Sequence, residues 1–352
     1  MSKINIAFDW PQNIETAWSG TAYSILCELK KNHDVNIIDL KINFFQKLII
    51  KILNFFKLRW LAIIFELKSN RKIIINKKIS GSIFQFSTNY FSTKDITFCY
   101  IDCSYRYLYE LRKENKNLYK SSGFRFNIID LKILAKYQDN CFKKMTNIFV
   151  MSKNLYNFFD KHYEKIFMKK VIHVGGGINI DKNRIEIKEK EKSFLFVGKD
   201  YKRKSCELVI DAFNTISKND ASIKLYIIGP RKKLFDYNNK NIIQLGEQPF
   251  SVVQDYMNRS KVFVMPSKFE AYGLAFIEAL VSGCIIIGTD EFEMKYFINR
   301  ENGYTTKLNI EDLSKKMKLA INNDELTNKI IFNKEKYLKK YSWDSVVKRM
   351  GL

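Results

Sequence analysis

Two carboxylates eight positions apart raise the first chemical question. In "KVFVMPSKFEAYGLAFIEALVSG", Glu270 stands in a loop after an apolar run and Glu278 inside a helix-like stretch. Leu274, Ile277, Glu278 and Val281 recur at i, i+3, i+4 and i+7, so Glu278 shares an otherwise apolar helical face. Burying a carboxylate without a partner costs about 3–5 kcal/mol. A ligand with vicinal hydroxyls, such as a ribose, would satisfy both of its oxygens. The alternative is a Glu278 at the surface. Glu270 falls at the carboxyl end of a strand, where open α/β sheets bind ligands. The amides of Ala271 to Leu274 would open a helix toward the same ligand.

A second cluster lies in "FVGKDYKRKSCELVIDAF". A strand ends at Val197, Gly198 permits a tight turn, and Lys199, Lys202, Arg203 and Lys204 precede a helix. Cations at a helix N-terminus oppose its dipole and one another. An anion held by amides and ammonium groups, a phosphate above all, would offset them. A solvated basic turn is the plainer alternative. A third candidate is Asp102 in "FCYIDCSYRYL", at the end of another strand, where a turn or cap is the competing role. His162 and His173 read as ordinary helix and hinge residues.

The elements that must position these groups alternate as in parallel α/β sheets. "INIAFDW", "VNIIDL", "ITFCYID", "NIFVMS" and "KKVIHVG" read as strands of a first domain, with "TAYSILCELKK" as a helix. The stretch "HVGGGINIDKNRIEIKEKEK" interrupts the rhythm with a glycine triplet and alternating charge, a linker near 173–190. The rhythm then restarts with strands "SFLFVG", "KLYIIG", "IIQLG", "KVFVMP" and "CIIIGT", and helices "CELVIDAFNTI" and "SVVQDYMNR". Two α/β domains are expected, 1–173 with a returning C-terminal helix at about 341–352, and 174–340.

Composition supports this size of structure. A chain of 352 residues with 46% hydrophobic and 14% aromatic content can fill two cores. Lys and Arg number 60 against 37 Asp and Glu, a net charge of +23 that favours anionic partners, although a general lysine bias contributes. Six scattered cysteines without CxxC, and three histidines without HExxH spacing, argue for free thiols and against a protein-held zinc. The start "MSKINIAFDWPQN" reads as strand and loop, not as a signal peptide. Segment 43–68, "NFFQKLIIKILNFFKLRWLAIIFELK", stands apart. Lys47, Lys51 and Asn54 form one polar stripe, and Phe44, Leu48, Ile52, Phe55 and Phe56 cover much of the rest. It reads either as a helix lying in a membrane interface or as a long core helix.

The ordered set of motifs in residues 145–350 resembles the retaining family 4 glycosyltransferases of the glycosyl transferases group 1 type, with the GT-B fold. E-x7-E followed by a small-residue helix and "GCIIIG" is similar to that family's donor site. "FLFVGKDYKRKSCELVIDAF" is similar to its phosphate-lysine segment, and "YSWDSVVKRM" to its terminal helix. The resemblance implies two Rossmann-like domains facing across a cleft, the first on the acceptor side and the second binding a nucleotide-sugar donor. It implies that Glu278 binds the ribose, that Glu270 holds hydroxyls of the transferred sugar, and that Lys199, where an arginine is usual, and Lys204 neutralise the diphosphate. Gly198 and the amides of Tyr272, Gly273 and Leu274 would line phosphate and sugar. Gly229 and Pro230, with Leu245 and Gly246, would flank the nucleotide. In "AWSGTAYS" only Gly20 remains of the usual glycine pair, and Ser205 replaces the glycine usual after the phosphate lysine. Asp102 would face the donor sugar.

The implied function is retaining sugar transfer, without a metal, from a UDP- or GDP-linked donor to a glycan or lipid-linked acceptor in bacterial lipopolysaccharide or capsule synthesis. No D-x-D occurs, in keeping with lysines instead of a bridging metal. No further cofactor and no nucleic acid are expected, and the location would be cytoplasmic, with peripheral contact to an anionic membrane. Two other classes stay open: a non-catalytic basic protein binding membrane or nucleic acid, and a nucleotide-sugar epimerase on the same scaffold.

Overall fold

The computed structural model describes residues 2–76, 80–86, 96–186, 189–218, 220–230 and 239–352, and all structural statements concern these. They contain two six-stranded sheets. The first comprises β1 (Lys3–Phe8), β2 (Asp34–Asp39), β3 (Ser82–Phe86), β4 (Thr97–Ile101), β5 (Asn147–Val150) and β6 (Val171–His173), in the order β2-β1-β3-β4-β5-β6. The second comprises β7 (Glu191–Val197), β8 (Lys224–Ile228), β9 (Ile242–Gly246), β10 (Ser260–Val264), β11 (Ile285–Thr289) and β12 (Gly303–Thr306), in the order β12-β11-β10-β7-β8-β9. Every pairing is parallel. A parallel sheet is covered by helices on both faces, which is why β4, β10 and β11 are buried at every residue.

In each sheet the strand order reverses once. β1 lies between β2 and β3, and β7 lies between β8 and β10. At such a point the helices flanking the two strands leave to opposite faces, opening a crevice beyond the carboxyl ends. In the second sheet those ends are Val197, leading to Gly198–Ser205, and Val264, leading to Met265–Gly273.

The chain divides into two compact units: Met1–Lys120, Phe124–Gly177 and Trp343–Leu352 in one, Ser121–Gly123 and Ile178–Ser342 in the other. The glycine triplet packs with the first unit. Tyr100 Oη donates to the Gly175 carbonyl at 2.8 Å, and a Cβ on Gly177 would lie 2.5 Å from the Trp343 ring. The terminal helix Trp343–Met350 is fixed there too, with Arg349 Nε donating to the Val174 carbonyl at 2.6 Å. Of the linker stretch, residues 187 and 188 lie outside the described residues.

The reading of segment 43–68 as one long core helix is overturned. Two helices, Phe44–Phe55 and Arg59–Asn76, share the segment, and no residue of the first is buried. The break is a left-handed Lys57, φ +59°. Its amide bonds to the Asn54 carbonyl and the Leu58 amide to the Leu53 carbonyl, the pattern of a Schellman C-cap.

Candidate active site

The site is built on the two loops that leave β7 and β10. At Gly198 an added Cβ would lie 2.2 Å from Lys204 Cδ, so only glycine lets the Lys204 side chain cross the strand end. Its ammonium lies 3.4 Å from the Val197 carbonyl and 3.1 Å from Met265 Sδ. Burial lowers its pKa, and Glu270 opposes that shift. Glu270 is 8% exposed, and its Oε1 accepts from Arg203 Nη1 at 3.0 Å and from Ser267 Oγ at 3.1 Å. Lys204 Nζ stands 3.8 Å from the same oxygen.

Arg203, read from the sequence only as one of four loop cations, also holds Glu270. Nη1 also donates to the Phe269 carbonyl at 2.6 Å, Nε donates to Asp200 Oδ2 at 3.2 Å, and the Arg203 carbonyl accepts from the Lys268 amide at 2.8 Å. It laces the β7 loop to the β10 loop. The signal was its place directly before Lys204, but its reach to Glu270 spans 67 positions of sequence and cannot be read locally.

Glu278 is 5% exposed, which removes the surface alternative. Oε1 accepts from the Asn179 amide at 3.1 Å. Burial pushes its pKa up to about 7, against the opposing pulls of that amide and of the Lys204 charge. Glu270, Glu278 and Lys204 therefore share one neighbourhood. Lys199 does not join them: it is largely exposed and pairs with Glu247. Lys202 is exposed, with its ammonium 5.9 Å from the centre of the Tyr201 ring. Within the chain, Lys199 and Arg203 have carboxylate partners, Glu247 and Glu270.

Helix starts complete the site. Helices after Asn43, Ser104, Asn127, Ser152 and Asn309 receive a side-chain cap. Those after Ser205 and Gly273 do not; both capping residues are left-handed, with φ +56° and +100°. First-turn amides suit an anion where the chain leaves them open, but here the Cys206 amide donates to the Tyr201 carbonyl and the Phe276 amide to the Gly273 carbonyl. Leu274 opens the second of these helices, and Tyr272 is buried edge-on against Phe297. Behind Gly198, its amide donates to the Ile228 carbonyl and that of Gly229 to Gly246. A Cβ on Gly229 would lie 2.5 Å from the Gly198 carbonyl carbon. Pro230 is buried, and Leu245 is half-buried in β9.

Gly20 and Asp102 belong to the first unit. Gly20, φ +89°, follows left-handed Trp18 and Ser19 in the loop beyond β1, at the reversal of the first sheet. Asp102 is half-buried just beyond β4, ahead of the Ser104-capped helix Tyr105–Glu114. Among the described residues no group of three or more His, Cys, Asp or Glu side chains is placed to hold a metal.

Residues 178–337 match the family described as Glycosyl transferases group 1. This stretch lies within the second unit and is similar to that family's domain. It contains Gly198, Lys199, Lys204, Gly229, Leu245, Glu270, Tyr272, Gly273, Leu274 and Glu278. An uncharacterized glycosyltransferase of Methanocaldococcus jannaschii is 29% identical over 210 residues, 57% of this chain and 56% of that protein. The poly(ribitol-phosphate) alpha-N-acetylglucosaminyltransferase of Staphylococcus aureus is 28% identical over 163 residues, 42% of this chain and 32% of that protein. The chain thus aligns with about half or less of these curated relatives. Among solved structures, WaaG, a glycosyltransferase involved in lipopolysaccharide biosynthesis, superposes with a TM-score of 0.64 at 15% identity, covering 98% of both chains. The sucrose-phosphate synthase of Thermosynechococcus elongatus gives 0.68 at 13% identity, covering 100% of this chain and 98% of its own. These superpositions show the GT-B fold.

Proposed function

We propose that the protein is a retaining glycosyltransferase, moving a sugar from a UDP- or GDP-linked donor to a glycan or lipid-linked acceptor in surface-polysaccharide synthesis. The observation that carries this reading is the buried Glu278 beside Lys204 and Glu270, at a strand-order reversal between two uncapped helix starts. Glu278 accepts from the ribose hydroxyls, and Glu270 holds hydroxyls of the sugar. Lys204, largely buried, meets the charge that develops on the diphosphate as the glycosidic bond breaks, and Lys199 adds to it by leaving Glu247. A preformed cation in a dry site stabilises the transition state more than the ground state. The amides of Tyr272, Gly273 and Leu274 line the phosphates, with Gly198, Gly229, Pro230, Leu245 and Gly246 around the nucleotide. Gly20 and Asp102, in the first unit, keep the roles that the resemblance implies. No protein nucleophile and no bridging metal are needed.

Relatives support the polysaccharide context, including a capsular polysaccharide biosynthesis glycosyltransferase of S. aureus, and a TarM mutant has been crystallised with UDP. The place of work would be the cytoplasmic face of a membrane. A thermal-shift panel of UDP, GDP, ADP and CMP, followed by transfer assays with the matching sugar nucleotides, tests the reading. One nucleotide should raise the melting temperature of the wild type and lose that effect in Glu278→Ala. An equal response in the variant removes the ribose role, and no response to any nucleotide removes the transferase reading.

A further inference from the structure

The helix Phe44–Phe55 lies outside the site just described, and it has an unusual surface. Phe44 is 74% exposed and Phe55 81%, with Phe45, Phe56, Leu48 and Ile52 exposed beside them. At 3.6 residues per turn these six occupy one continuous arc of roughly 120°. Lys51 and Lys47 follow in turn along one edge of that arc, and both are exposed. Lys41, Lys57 and Arg59 stand at the two ends, also exposed, and no Asp or Glu occurs from residue 40 to residue 65. Only the side carrying Gln46, Ile50 and Leu53 is half-buried, and the helix packs against Arg59–Asn76.

The helix is also built to keep its shape without a core. At its start the Asn43 side chain accepts from the Gln46 amide at 2.9 Å, and the Gln46 side chain accepts from the Asn43 amide at 2.9 Å. This reciprocal box fixes one end, and the cap at Lys57 fixes the other. The chain thus holds an aromatic face rigidly in the open.

We infer that the helix Phe44–Phe55 is a docking element that lies in the headgroup layer of an anionic lipid membrane. Its 12 residues span only about 18 Å, too short to cross a hydrocarbon core of about 30 Å. No helix among the described residues is long and apolar enough to cross a membrane. A second copy of the chain fits the face poorly, because it would bring the same lysine edge and another +23 charge against it. A lipid surface matches both parts: acyl chains receive the phenylalanines, and anionic headgroups receive the flanking lysines. This inference stands whether or not the transferase reading does.

The test is flotation of the full chain with vesicles of phosphatidylcholine alone and of phosphatidylcholine mixed with phosphatidylglycerol. The wild type should float only with the anionic vesicles, and less as salt rises. Phe55→Ser with Phe56→Ser should lower binding at least tenfold, and Lys47→Glu with Lys51→Glu should do the same. All four side chains are exposed, so melting temperatures should stay at the wild-type value and report intact folding. Wild-type chain that stays with the buffer, or variants that float as it does, would overturn the inference. So would concentration-dependent dimerisation abolished by the phenylalanine pair, which would assign the face to a second copy.

Discussion

A carboxylate with its pKa pushed up to about 7 by burial is a sensitive reporter of what it touches. Glu278 prefers its proton in the folded chain more than in the unfolded one. Its contribution to stability is therefore fully present below the unfolded value near 4.5 and is lost as pH rises through about 7. The shift corresponds to roughly 3 kcal/mol, and in the ligand-free protein the melting temperature should fall over that window. A ribose needs the ionised form as acceptor, so nucleotide affinity should rise between pH 6 and 8, opposite to stability. Glu278→Gln should flatten both profiles. Calorimetric binding across that pH range reads the sign directly, and an affinity that falls with pH would exclude the ribose role. The anomaly that exposes Glu278, a charge on an apolar stripe, was legible because helical periodicity is local. Arg203 was not, because its partners Glu270 and Phe269 come from another loop.

At the scale of elements, the site depends on how two helices begin. Ser205 stands where the resemblance implies a glycine, and its backbone is left-handed: φ is +56°, with the hydroxyl buried and unpartnered. A side chain in that conformation costs about 1 kcal/mol or more. Ser205→Gly should therefore raise stability by roughly 1 kcal/mol in denaturant unfolding, even though glycine is the more flexible residue. A loss of stability would mean that Ser205 makes a contact outweighing the strain. Element by element, the strands carrying clear apolar runs were the readable ones. β3 is Ser-Ile-Phe-Gln-Phe, broken by Gln85, and β12 is Gly-Tyr-Thr-Thr, so neither offers the apolar run on which the reading relied. Their places in the sheets are set by tertiary pairing: β3 with β1 and β4, β12 with β11. Segment 43–68 failed differently. Its composition fitted both a core and an interface, and only the exposure of Phe44 and Phe55 separates the two.

For the whole molecule, the +23 charge first suggested anionic partners, yet several lysines work inward. Lys170 Nζ donates to the carbonyls of Phe142, Lys143 and Met145, at the end of the helix Ile128–Lys144. Lys190 Nζ donates to those of Met257, Asn258 and Ser282, at the ends of Phe250–Arg259 and Leu274–Val281. Lys261 Nζ donates to the Ile321 carbonyl and to Asp324. Helix C-termini carry unpaired carbonyls and partial negative charge, so an ammonium there answers both. Two opposite expectations follow for Lys190→Met. If the lysine were surplus charge on an overcharged chain, its removal would relieve repulsion and leave stability unchanged or higher. If it is a plug for three carbonyls, their desolvation without a donor should cost about 3 kcal/mol, a fall in Tm of roughly 6–10 °C. Burial lowers the Lys190 pKa, and its three acceptors keep the ammonium a worthwhile donor there. We expect the fall. Lys47→Met, on the exposed face of the helix Phe44–Phe55, removes the same charge with no carbonyl behind it and should leave Tm where it was, so the pair separates charge from contact.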